Sequence, residues 1–327
     1  MLIEKDEIER AYERVRKYLS PTPVIRSPYY SSKTGCDIFL KLENLQPTHS
    51  FKVRGALNAI LSAPEEKRKQ GIICASGGNH GLGVALVSSW LKLPCQVFLP
   101  TKTPQLKIDN IKRLGASVIL HGDAWDDANK LAQSTAQKDD CAYIHPFDDP
   151  YVMAGQATIF LELLEQVRDL DSVIVSIGGG GLISGIVSAV KHFSPNTKVI
   201  GVETNGANCM SLSVNAGRIE ELPAITSIAD SLGARKTEPR QFDIISKHVD
   251  ELIVVDDNEA IASLLELLNE EKLLVEPATS CSLAALTSGR IKTNLGKQLA
   301  VIMCGGNIAL ERVCQWADAS KENLVHR

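Results

Sequence analysis

Lys52 stands in Ser50-Phe51-Lys52-Val53-Arg54-Gly55-Ala56-Leu57-Asn58, where a loop gives way to a helical pattern. An amine set between an aromatic ring and a run of small and apolar residues is held in place, and a held lysine can form a Schiff base with a carbonyl. A lone lysine is more often a surface side chain whose stem covers apolar neighbours while its head stays wet. This one is accompanied by two glycine-rich turns, Ser76-Gly77-Gly78-Asn79-His80-Gly81 and Ser176-Ile177-Gly178-Gly179-Gly180-Gly181-Leu182.

The second turn has the form of a phosphate cradle. Val173 to Ser176 reads as a buried strand and Leu182 to Phe193 as the helix it feeds. Consecutive glycines let backbone N–H groups converge on an anion at the positive end of that helix, with no side chain required. Spacing excludes a dinucleotide fingerprint, because Ile183 occupies the place of the third glycine after Gly178 and Gly180, and no nucleotide-binding G-x-x-x-x-G-K-[ST] run is present. A glycine run by itself can be no more than a tight strand-to-helix turn. A held lysine together with a phosphate cradle points to pyridoxal phosphate.

These motifs carry a resemblance. From Thr22-Pro23 to Cys304-Gly305-Gly306-Asn307, in the family's order, the chain resembles the fold type II pyridoxal-phosphate enzymes, in the branch of serine and threonine dehydratases and serine racemase. The resemblance implies that Lys52 forms the Schiff base with the cofactor. It further implies that Phe51 and Asn79 line the pyridine ring, that Gly178, Gly179, Gly180, Gly181 and Leu182 bind the phosphate, and that Cys304 lies beside the pyridine nitrogen. Ser76, Gly77, Asn79 and His80 are expected at the substrate carboxylate, and Glu276, in Val275-Glu276-Pro277-Ala278-Thr279, is expected at the cofactor. Each has a plainer reading: His80 can pack or cap at a helix start, Glu276 can be a helix-entry carboxylate, and Cys304 can be a buried small hydrophobe.

Two positions bear on the reaction. A neutral thiol at Cys304 cannot hold the pyridine nitrogen protonated as a carboxylate would, so the ring is a weaker electron sink and prompt loss of a β-substituent is favoured. The racemase branch places a serine after the residue matching Ser76, as acid and base on the face opposite the lysine; here that residue is Gly77, which cannot move a proton. The expected activity is a dehydratase that removes water from a β-hydroxy amino acid of the threonine, serine or 3-hydroxyaspartate type, giving a 2-oxo acid and ammonia. The alternatives are a racemase or β-replacement synthase on the same cofactor, and a non-catalytic ligand-binding protein on the same fold.

The family's cation segment corresponds to Gly201 to Cys209 and brings a divalent or monovalent cation into question, with Glu203 and Ala207 as the matching ligands. Cys209 replaces the expected Asp, and sulfur suits hard cations poorly, so Glu203 is otherwise an ordinary strand-end carboxylate.

The rest of the chain must position these groups. Its 327 residues, 44% hydrophobic and 23% charged, suffice for a full core, and a net charge of -4 with scattered basic residues argues against nucleic acid as a partner. Val173 to Val190 lacks charge, but its glycines and serines break it into strand, turn and helix, so no membrane role is expected. Met1 to Arg10 is mostly charged, unlike a secretory signal. The eight cysteines form no C-x-x-C pair, which argues against a disulfide framework and fits a cytoplasmic protein. The short stretch after Cys304 leads to the expectation of a catabolic form without a regulatory domain. Homodimerisation is a family expectation.

Short β-branched runs alternate with helical patterns, the mark of an α/β protein with mostly parallel strands. Strands are predicted at Ile38 to Leu42, Ile72 to Ala75, Gln96 to Leu99, Ser117 to Leu120, Val173 to Ser176, Lys198 to Val202, Leu252 to Val255 and Leu299 to Met303. The resemblance implies two open twisted sheets flanked by helices, tryptophan synthase β-like, with the cofactor in the interdomain cleft. It also implies a small domain at residues 48–145 inserted into a large one formed by residues 1–47 and 146–327.

Overall fold

The computed structural model describes residues 1–325, with side chains through Ala319. Ten strands form two sheets: β1 (Val24–Arg26), β2 (Asp37–Lys41), β3 (Ile72–Ala75), β4 (Cys95–Leu99), β5 (Ser117–Leu120), β6 (Ala142–Tyr143), β7 (Ser172–Ser176), β8 (Lys198–Thr204), β9 (Glu251–Val255) and β10 (Gln298–Ile302). One sheet has the order β5-β4-β3-β6 and the other β1-β2-β10-β7-β8-β9. All pairings are parallel except β1 with β2. The helices between strands supply the crossovers that parallel pairing requires.

All eight predicted strands are present. The additional strands, β1 and β6, have three and two residues, too few for an alternating pattern to register. No helix of the described residues is long and apolar enough to cross a membrane.

The chain divides into two compact units. The first comprises Met1–Pro21, Gln46–Glu165 and Gly180–Pro195, and the second comprises Thr22–Leu45, Gln166–Gly179 and the chain from Asn196 onward. The strands of the smaller sheet all lie within residues 48–145, and the helices of the first unit come from a wider span. Helix Lys5–Val15 buries Ile8, Ala11 and Val15, and Val15 joins Val53, Leu57 and Val152 in one apolar cluster. Gly155, in helix Pro150–Gln166, comes so close to helix Lys52–Ser62 that a methyl group there would lie 2.6 Å from the Arg54 carbonyl oxygen.

That helix contact also contains a buried ion pair. Arg54 is fully buried and donates to both carboxylate oxygens of Glu162, at 2.6 and 2.7 Å, with Thr158 Oγ1 3.2 Å from the same guanidinium. A bidentate pair of this kind fixes orientation as well as distance. In the second unit the core runs from Ile38 and Leu40 through Ile174, Ile200 and Val301 to Cys281 and Leu283. The Thr22-Pro23 motif opens a polar knot there. Thr22 Oγ1 donates to Glu43 at 2.6 Å, while buried Lys41 reaches the Thr22 carbonyl and Gln166 Oε1, each at 2.9 Å.

Candidate functional site

Lys52 is the first residue of helix Lys52–Ser62, with Phe51 at the N-cap. Its side chain is half-buried. Nζ donates to the Pro146 carbonyl at 2.7 Å and stands 5.2 Å from the centroid of the Phe51 ring. The predicted loop-to-helix junction is therefore real. It is made tight by Gly83 of helix Asn79–Trp90, where a methyl group would come within 3.2 Å of the Lys52 carbonyl carbon.

The close approach of those two helices places the Asn79-His80 start beside Lys52 in the first unit. His80 is 2% exposed, and its Nε2 lies 3.0 Å from the Ile144 carbonyl. A carbonyl can only accept, so Nε2 carries the proton and Nδ1 is left as a buried acceptor. Burial, reinforced by the positive charge of Lys52, pushes the His80 pKa down to about 3. The ring stays neutral, which supports the packing role over direct acid catalysis. His145 is likewise pushed down to about 4, chiefly by burial, and its Nδ1 accepts from the backbone N–H groups of Phe147 and Asp148 at 3.2 and 2.7 Å. The segment from Ile144 to Asp148 thus serves His80 with one carbonyl and Lys52 with another.

Ser76, Gly77 and Gly78 form the turn between β3 and helix Asn79–Trp90, and Ser76 Oγ accepts from the Gly78 N–H at 3.3 Å. At Gly77 a methyl group would meet only the side chains of Leu99 and Thr103, each at 3.4 Å.

The tetraglycine turn follows β7 and opens helix Gly181–Phe193. Gly180, the N-cap, takes φ 93°, a left-handed conformation that favours glycine. Within the first unit, a methyl at Gly181 would stand 2.9 Å from the Phe147 Cα; within the second, one at Gly178 would stand 3.0 Å from the Leu232 Cα. A side chain would thus clash at Gly181 and be tightly crowded at Gly178. The first N–H groups of a helix have no intrahelical acceptor, so this bare backbone fits a phosphate.

Cys304 and Glu276 belong to the second unit. Cys304 is 3% exposed, with Sγ 3.3 Å from Ser176 Oγ and 3.1 Å from Thr279 Oγ1. Burial, with the Glu276 carboxylate nearby, pushes its thiol up to about 11, so it is a neutral thiol as the chemistry requires. Glu276 is the N-cap of helix Pro277–Thr287, as its plainer reading had it, and accepts from Ser231 Oγ at 3.0 Å.

Glu203 has partners other than a cation. Its two carboxylate oxygens accept from the backbone N–H groups of Met210 and Ser211, at 3.0 and 2.7 Å, where helix Cys209–Ala216 begins. Burial raises its pKa to about 7 and that of Cys209 to about 12. Ala207 is buried nearby in the chain. Among the described residues no group of three or more His, Cys, Asp or Glu is placed to hold a metal ion.

Sequence reasoning did not single out Pro146, Ser176, Thr279 or Ser231. The first acts through a backbone carbonyl, which leaves no side-chain signal. Ser176 and Thr279 stand inside the glycine and Glu276 motifs but become noticeable only through their distance to Cys304.

The residues present fit pyridoxal phosphate: an anchored lysine, a bare glycine turn at a helix start and a neutral thiol. Comparison with known proteins agrees. The family model described as pyridoxal-phosphate dependent enzyme matches residues 15–305. An L-threonine ammonia-lyase of Geobacter sulfurreducens is 40% identical over 306 residues, covering 94% of this chain and 76% of that protein. Among solved structures, maize serine racemase superposes with a TM-score of 0.92 at 32% identity, covering 100% of this chain and 99% of that one. The processed form of threonine deaminase isoform 2 from Solanum lycopersicum superposes with a TM-score of 0.89 at 31% identity, covering 97% of this chain and 90% of that one.

Proposed function

We propose that this chain, which belongs to the family of pyridoxal-phosphate-dependent enzymes, is a dehydratase: it converts a β-hydroxy amino acid, with L-threonine as the first choice, to a 2-oxo acid and ammonia. The observation that carries the reading is a one-base arrangement. Lys52 has its amine held by a carbonyl, Gly77 offers no second base, and the neighbouring His80 is kept neutral by burial. Similarity to an L-threonine ammonia-lyase supports the choice of substrate.

When bound, pyridoxal phosphate supplies an aldehyde that amines can attach to and a ring that withdraws electrons from the substrate Cα. Lys52 is the residue to hold that aldehyde, Gly178 to Leu182 the phosphate, and Cys304 the ring nitrogen. Asn79 and the N–H groups around Ser76 to Gly78 hold the substrate carboxylate. Lys52 Nζ would accept the substrate Cα proton, and the Pro146 carbonyl it faces would keep it oriented. The C–H electron pair would form the Cα–Cβ double bond as the Cβ–O bond breaks, and the departing hydroxyl would take up the proton that Lys52 accepted and leave as water. The released enamine takes up one water and yields the 2-oxo acid and ammonia. His80 cannot compete for the proton at neutral pH.

A second reading, an amino acid racemase, is favoured by the superposition on maize serine racemase. It requires a second base that Gly77 does not provide. As finer parts of the proposal, eight free cysteines suit the reducing cytoplasm, and the enzyme is taken to be a homodimer of catabolic role.

The test is to incubate cofactor-loaded protein separately with L-threonine, L-serine and the stereoisomers of 3-hydroxyaspartate. Oxo acid, ammonia and enantiomer composition are followed in each. Equal amounts of oxo acid and ammonia from one substrate are expected. Inversion of configuration without oxo acid would replace this reading by the racemase, and absence of both with every substrate would sink it.

A further inference from the structure

Cys304 has one proton to place, and in the second unit two hydroxyls face its sulfur. Thr279 Oγ1 lies 2.8 Å from the Gly305 carbonyl oxygen, which can only accept, and 2.9 Å from the Gly305 N–H, which can only donate. The single hydroxyl proton of Thr279 is therefore committed to Gly305, and one of its two lone pairs is occupied by the same residue. The remaining lone pair faces Sγ at 3.1 Å. Cys304 must donate to it, since otherwise two acceptors would abut in a dry interior, where an unpaired polar contact is costly. With its proton given to Thr279, the sulfur can only accept at Ser176 Oγ, 3.3 Å away, so Ser176 is the donor of that bond. A further acceptor for the thiol, the Ala278 carbonyl, is farther off at 3.7 Å.

Resting on the reading that Cys304 faces the ring nitrogen of bound pyridoxal phosphate, we propose that Thr279 is a positioning residue that competes with that nitrogen for the thiol proton, while Ser176 donates to the sulfur and holds it in place. A nitrogen that draws the proton to itself leaves Thr279 and the sulfur facing each other as two acceptors. The hydrogen bond it gains is correspondingly weak. The ring then remains a modest electron sink, the condition that favours prompt elimination over racemisation. The thiol position is thus tuned by a threonine outside the glycine motif.

The test is the infrared S–H stretching band of Cys304, isolated in the full-length chain by subtracting the spectrum of Cys304→Ser, with and without bound pyridoxal phosphate. A donating S–H absorbs at lower frequency than a free one. In the cofactor-free protein the band is expected low, to rise in Thr279→Val, to return in Thr279→Ser and to stay low in Ser176→Ala. Thr279→Val also removes the bonds of that hydroxyl to the Gly305 N–H and carbonyl, leaving the carbonyl its bond from the Glu276 N–H, so the Thr279→Ser and Ser176→Ala arms keep the test decisive if it folds poorly. A band that rises in Ser176→Ala and is indifferent to Thr279 would reverse the proton assignment and overturn the proposal. In the loaded protein, Thr279→Val is expected to lower the S–H band relative to its cofactor-free form and to shift the visible cofactor band. A low Cys304 band with no such change in the loaded protein would overturn the competition. Failure of the protein to take up pyridoxal phosphate at all would instead overturn the functional reading on which it rests.

Discussion

Lys52 and Cys304, one in each unit, are held in opposite ways. The Lys52 amine is half-buried and received by the Pro146 carbonyl, an acceptor that never exchanges protons. The Cys304 thiol is almost fully buried between two hydroxyls, Thr279 placed to accept its proton and Ser176 to donate to the sulfur. A base that must release a partner, accept a proton and return is best steered by a fixed acceptor, which leaves the proton inventory to the lysine alone. A thiol that must stay neutral is best closed into a circuit of hydroxyls. The Lys52 side is built for traffic and the Cys304 side for constancy.

The sharpest way to break this comparison is to remove each group in turn. Lys52→Ala is expected to lower turnover of the best substrate roughly 10³-fold or more, the range of a lost general base. Cys304→Ala removes one neutral hydrogen bond of about 1 kcal/mol, so a loss of about tenfold or less is expected. Steady-state assay of product formation decides it, and equal losses would abolish the distinction.

The Lys52 side can be sharpened through its buried ion pair. Glu162→Met strands the Arg54 charge and is expected to cost about 3–5 kcal/mol in urea unfolding, whereas the double variant Arg54→Met with Glu162→Met recovers most of it. If the double variant is as unstable as the single one, the pair contributes more than charge compensation. At Gly77 the turn has room for a serine side chain to begin. Gly77→Ser is expected to raise α-proton exchange with inversion by about 10²-fold, the lower end of what a positioned acid or base provides. Chiral chromatography of recovered substrate would read it, and no change would show that a base at this position is not what separates dehydratase from racemase.

A further effect concerns acid. His80 and His145 have folded-state pKa values near 3 and near 4, against 6.5 for the free side chain. Between those values the unfolded chain binds protons that the folded chain refuses. Stability is therefore full above 6.5 and falls on acidification, by at most about 1.4 kcal/mol per pH unit for each histidine. Glu203, raised from 4.5 to about 7, acts in the opposite sense: its contribution is complete below 4.5 and is lost as pH rises through about 7. It offsets part of the histidine slope between 4.5 and 6.5 and none below. His80→Asn should flatten the decline between 6.5 and 3 in denaturant titrations across pH; an unchanged slope would show that His80 does not contribute.

Much of this was legible before any coordinates, because the strands announce themselves by β-branched runs and the glycine turns by composition. Ile72 to Ala75 and Ser117 to Leu120 were located to the residue. Thr22, by contrast, revealed only that a motif began there; its bond to Glu43 joins residues that no local pattern links. Pro146 lies 94 positions from Lys52 and acts through its backbone, so neither spacing nor residue type marks it. The packing of the helices of the first unit leaves no local signal for a similar reason. The approach of Gly155 to Arg54 is a steric fact about two surfaces, written in single glycines that a sequence presents like any other. Glu203 shows the converse: a motif match suggested a cation, and the fold directs both carboxylate oxygens to helix N–H groups.

The central claim is that Lys52 is the residue to which pyridoxal phosphate attaches. Borohydride reduction of the loaded protein, followed by proteolysis and mass mapping, tests it directly. The account predicts a phosphopyridoxyl group on the peptide containing Lys52 and its loss in Lys52→Ala. The same label on another lysine in the unaltered chain, or no label on a protein that has demonstrably taken up the cofactor, would contradict it.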